Sequence, residues 1–125
     1  MARQILDEQY IHPAIRQTVS EHFRDTVQEV QTTIARHRIV VVGMVGNPSV
    51  KKARQLLTDQ QLDFQYLEYG SYFNQWRRRN SLKMWTGWST FPMVFVDGVL
   101  VGGAKDLKAL VDAGALGRML ASGRG

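Results

Sequence analysis

With 125 residues, 44% hydrophobic and 22% charged, the chain is sized for one domain able to bury a core without covalent staples. It contains no cysteine, which excludes disulfides, thiolate nucleophiles and cysteine-ligated clusters within this chain. The formal net charge of +5 favours acidic partners without naming one, and no run of residues is long and apolar enough to read as a membrane span.

The N-terminus carries Arg3, Asp7 and Glu8 in place of a basic-then-apolar leader, so a cytoplasmic protein with no membrane contact is expected. From Pro13 to Ala35, Ile15, Val19, Phe23, Val27, Val30 and Ile34 recur every three or four residues, which predicts an amphipathic helix with Pro13 in its first turn. His12, His22 and His37 lack a tight ligand spacing and read as boundary or surface residues, so no metal site is expected.

Arg38 to Gly43 is a β-branched run, the pattern of a strand covered on both faces. Asn47-Pro48 then supplies an N-cap and first-turn pair for a helix reaching Gln60, with Val50, Ala53, Leu56 and Leu57 turned inward. Leu62 to Glu68 reads as a second strand, and a strand–helix–strand order calls for parallel pairing. A helix from Asn74 to Trp85 follows, with Trp76, Leu82 and Trp85 as its inner face and Arg77, Arg78, Arg79 and Lys83 as its charges. Gly87 suits a left-handed cap at its end.

Phe91-Pro92 opens a third strand, since proline has no N–H for a ladder and belongs at a strand's start. The Phe91–Pro92 bond is a candidate for the cis form. Asp97-Gly98 between apolar runs is a strong hairpin signal, because a type I′ turn needs positive φ at both central residues. Lys105 to Leu120 then makes one or two closing helices, broken near Gly114.

This order of elements, with a proline opening the third strand, resembles the glutaredoxin branch of the thioredoxin fold over about residues 24–121. Thr86-Gly87-Trp88-Ser89-Thr90-Phe91-Pro92 is similar to the family's TGW-x-T-[VF]-P segment. Asp97-Gly98 with Val101-Gly102-Gly103 resembles its NGxxIGG hairpin, and Val42 to Leu57 its CPYC segment and basic helix. The resemblance implies an α/β thioredoxin-like fold with a central four-stranded mixed sheet flanked by helices. It also implies a glutaredoxin-like domain over residues 24–125 and an added, mostly helical N-terminal extension over residues 1–23.

The departure lies in the chemistry. Laid on the family pattern, the nucleophilic cysteine position falls on Asn47, the resolving one on Val50 and the preceding lysine on Met44. Thiol–disulfide exchange needs a thiolate, and the Ser49 hydroxyl has no base adjacent in sequence to activate it. Neither the family's glutathione-dependent oxidoreductase activity nor iron–sulfur carriage is therefore expected, and no residue is assigned as catalytic.

A binding groove can outlast its nucleophile. The resemblance implies that glutathione would pair with the backbone of Phe91, before Pro92, and place a carboxylate at the turn Gly103-Ala104-Lys105. Lys105 stands where typical members carry an aspartate that can meet the ligand's ammonium. Arg79 aligns with a carboxylate-binding position of the single-cysteine branch, and Lys51 lies near the same rim. The expected ligand residues are thus Asn47, Lys51, Arg79, Phe91, Pro92, Gly103, Ala104 and Lys105, for glutathione or another small anionic or peptide-like partner. The alternative is an interaction module with a vestigial groove, its N-terminal helix meeting a protein partner or a second copy. Nucleic-acid binding by Arg77–Lys83 is disfavoured, since no recognised motif accompanies the charge.

Overall fold

The computed structural model describes residues 6, 8–10, 12–15, 24–71 and 75–122. Its centre is β1, Ile39–Gly43, whose five residues are all buried, as a β-branched run covered on both sides should be. β1 pairs in parallel with β2 (Gln65–Glu68) and antiparallel with β3 (Met93–Val96), and β3 continues to the edge strand β4 (Val99–Gly102). The order β2-β1-β3-β4 gives the expected mixed four-stranded sheet.

Helices α1 (Arg24–Arg36), α2 (Pro48–Asp59), α3 (Trp76–Thr86), α4 (Ala104–Asp112) and α5 (Ala115–Ser122) cover it. Successive strand residues point to opposite faces, so Val40 and Val42 share one core with Val30, Leu82, Met93 and Phe95. Ile39 and Val41 share the other with Ala53, Leu57, Leu107 and Leu116. The first core therefore lies under α1 and α3, the second under α2, α4 and α5. Each buried leucine contributes about 2 kcal/mol of apolar transfer to this arrangement.

The β3–β4 turn takes the expected type I′ signs, with φ of 49° at Asp97 and 82° at Gly98. At this end of the sheet the Arg38 Nε and Nη2 donate to the two Asp97 carboxylate oxygens, each at 2.8 Å, and Nη2 also donates to the Leu120 carbonyl at 2.8 Å. Gly87 caps α3 in the left-handed region, and Gly114 divides α4 from α5.

Three expectations are corrected. β2 begins at Gln65, not Leu62, because the Leu62 N–H turns back to the Leu57 carbonyl at 3.1 Å to close the helix exit. Trp76 is 55% exposed and does not form the inner face of α3, where Leu82 and Trp85 pack on the core as expected and Arg79 and Ser81 are buried beside them. Ile15 is 51% exposed, while Val27, Val30 and Ile34 of the same stripe pack on the core. Val19, Phe23 and His22, and the expected helix start at Asn74, lie outside the described residues.

Candidate functional site

The carboxyl end of β1 runs through Met44–Gly46 into α2, and Asn47 determines how that helix begins. Its backbone is extended, and its side-chain Oδ1 accepts from the N–H groups of Ser49 at 2.9 Å and Val50 at 3.2 Å. Those two donors have no carbonyl one turn back to meet, and Pro48 in the first turn has no N–H to satisfy. The other end of the same amide reaches across a gap: Asn47 Nδ2 stands 3.5 Å from the Phe91 carbonyl oxygen, a long and weak bond.

The opposite wall is mostly backbone. Thr86 Oγ1 donates to the Leu82 carbonyl at 2.8 Å and accepts from the Trp88 N–H at 3.1 Å, which folds the chain leaving α3 toward the sheet. The Phe91–Pro92 peptide is cis, and both residues are buried. Farther along, Gly102 adopts φ of 112°, where a Cβ would lie 2.6 Å from Asp106 Oδ2. Only glycine fits both that backbone and that space. Asp106 Oδ2 in turn accepts from the Gly103 N–H at 3.0 Å, which braces the first turn of α4.

Together these segments enclose a cleft of about 550 Å³. Met44, Asn47, Pro48 and Ser49 form one side, Trp88 to Pro92 the other, and Lys83 and Gly103 to Asp106 the ends. Two ammonium groups, Lys83 and Lys105, face one carboxylate, Asp106, in this lining. Lys83 also lies over the Phe91 ring, 5.7 Å from its centroid. With the N-terminal end of α4 added, the cleft's field favours negative charge.

Asn47, Phe91, Pro92, Gly103, Ala104 and Lys105, each expected at a ligand site, all line this one cleft. Lys51 instead opens onto a neighbouring depression of about 440 Å³ with Arg54, Tyr66 and Glu68, on the far side of Asn47. There the Arg54 guanidinium covers the Tyr66 ring at 4.0 Å, and the Tyr66 hydroxyl donates to Glu68 at 2.9 Å. Burial first, then that bond, push the Tyr66 pKa above its ordinary value. Val50, at the family's second cysteine position, is 2% exposed and belongs to the core.

Arg79 is a correction: it does not line the cleft. It is 7% exposed, and its Nη1 donates to the Tyr69 carbonyl at 2.9 Å, so it fastens α3 to the chain leaving β2. Tyr69 is itself buried and donates its hydroxyl to the Glu29 carboxylate of α1. Burial and that bond raise its pKa. The cation that α3 does present to the cleft is Lys83, four residues on, which sequence reasoning missed. The signal available was its helical spacing from Arg79, one turn nearer Trp88.

The sheet order, the proline-led third strand and the cleft at the carboxyl end of β1 define a thioredoxin-like protein of the glutaredoxin type. The Glutaredoxin family model matches residues 48–101. A glutaredoxin-like protein of Dictyostelium discoideum is 46% identical over 98 residues, which cover 78% of this chain and 80% of that protein. Mitochondrial glutaredoxin-2 of Bos taurus is 30% identical over 95 residues, covering 72% of this chain and 57% of that protein. The crystal structure of a buckwheat glutaredoxin–glutathione complex superposes with a TM-score of 0.73 at 22% identity, over 82% of this chain and 93% of that one. The chain belongs to the glutaredoxin family.

Proposed function

We propose that this chain is a glutaredoxin-like domain that binds glutathione or a similar anionic, peptide-like ligand beside Pro92 without exchanging thiols. The observation that carries the reading is Asn47: it holds the family's nucleophile position at the start of α2 and faces the Phe91 carbonyl across the cleft. An amide there can position a ligand but cannot attack a disulfide sulfur. A cysteine-ligated iron–sulfur cluster likewise finds no thiolate in this chain to hold it. Support for the ligand class comes from the glutathione in the buckwheat relative and from the cationic lining of the cleft.

Calorimetric titration with reduced glutathione tests binding, and a reductase-coupled disulfide assay tests chemistry. Saturable heat with turnover equal to the blank is expected. Turnover above the blank, or no heat at millimolar glutathione, overturns the reading.

A second reading, docking through the N-terminal segment, is favoured by the exposure of Leu6, Tyr10 and Ile15. Sedimentation of the full chain beside one lacking residues 1–23 tests it. A monomer in both cases, with equal stability, ends self-association through that segment.

A further inference from the structure

The cleft's polar inventory is lopsided toward donors and positive charge. Lys83 and Lys105 bring ammonium groups, and neither forms an ion pair among the described residues. The Trp88 indole Nε1 is buried in the wall with no acceptor among the described residues. A buried donor left in this way calls for an acceptor. Asp106, the one carboxylate of the lining, already has an oxygen engaged by the Gly103 N–H and is held against Gly102. Immediately outside, the groove between α2 and α4 is lined by Lys52 from one helix and Lys105 from the other. That groove also holds Lys108, which is paired with Asp112 at 2.7 Å, and one carboxylate, Asp59.

Glutathione at neutral pH carries two carboxylates and one ammonium. Its carboxylates suit this lining, but its ammonium would enter a cleft that already holds Lys83 and Lys105. On the reading that the cleft binds a glutathione-type ligand, we infer that it selects an acidic peptide whose amino group is blocked, in preference to zwitterionic glutathione. Lys105 is the residue that sets the preference, through like-charge repulsion of an ammonium and attraction of a carboxylate.

The test compares reduced glutathione with N-acetylglutathione, which keeps the same thiol and both carboxylates and carries a neutral acetamide in place of the ammonium. Calorimetry of the full chain at low ionic strength is expected to give about fivefold tighter binding of the acetylated form, the size of one partly exposed charge contact. The preference shrinks at high salt. Lys105→Gln removes it and Lys105→Asp reverses it. Because Lys105 is exposed, both variants are expected to fold, and circular dichroism checks this. Glutathione binding as tightly as its acetylated form, or more tightly, overturns this inference and leaves the binding reading standing. Failure of both compounds to bind overturns the two together.

Discussion

Across the cleft, the wall made by Phe91, Pro92 and the Gly102–Gly103 turn is built from backbone, while the wall at the start of α2 is built around one side chain. The first depends on φ values, a helix terminus and a tight turn, so most side-chain changes leave its groups in place. The second depends on which atoms stand at residue 47. An amide there keeps the helix capped and, on the proposed reading, gives up thiol exchange. Fold and binding geometry are spread over many residues, whereas a nucleophile is a single atom.

The largest expected effect comes from putting that atom back. Asn47→Cys places a thiol at the N-terminal end of α2, with Lys51 one turn on, where the dipole and the ammonium favour a thiolate. The thiolate would attack oxidised glutathione, form a mixed disulfide and release one glutathione thiolate. Intact-mass measurement should show the adduct on the variant and none on the parent. A variant that stays unmodified would mean the opposite wall no longer cradles the tripeptide.

Next in size, Arg79→Ala is expected to destabilise the fold by about 3 kcal/mol, since it empties a buried site and strips the Tyr69 carbonyl of its donor. Lys83→Ala, one turn away, should change stability by less than about 0.5 kcal/mol while weakening anion binding. Denaturant unfolding paired with titration separates the two, and equal effects would erase the distinction drawn between them.

Asn47→Ala removes the cap and should lower stability by about 1 kcal/mol, read by denaturant unfolding, whereas Asn47→Asp restores the cap but cannot donate to Phe91. The smallest effect is a pH dependence away from the cleft. Tyr66 and Tyr69 both titrate above their ordinary value of 10.0 because burial and a carboxylate partner favour the protonated phenol. Their contribution is complete below the unfolded pKa and is lost as pH rises from there through the folded values. Thermal melts should hold steady below about pH 10 and fall above it, and fall less in Tyr69→Phe.

Much of this was readable from residues. The Ile39–Gly43 run, the Asn47-Pro48 start, the Asp97-Gly98 turn and the Gly114 break each have one dominant physical cause, and each appears where that cause puts it. The grouping of Phe91, Pro92 and the Gly103–Lys105 turn at one cleft was readable only through the family resemblance. α3 was harder. It has no apolar stripe to orient it, so Trp76 and Arg79 compete for the buried face on spacing alone. Arg79 takes the buried place and donates to the Tyr69 carbonyl, and Trp76 is left exposed. Lys51 and Lys83 exchanged importance for a related reason: which cation reaches a cleft depends on helix rotation, and charge content does not report it.

At the far end of the sheet, Arg38 joins three distant stretches of chain: the entrance to β1, the tip of the hairpin and the last turn of α5. At the cleft, the Gly103 N–H donates to Asp106 directly after the same hairpin. β3 and β4 are thus a beam anchored at both ends, and the cleft-facing end inherits its alignment from a rivet on the other side of the molecule. A surface arginine far from any ligand is, in this sense, part of the jig that holds the cleft to size.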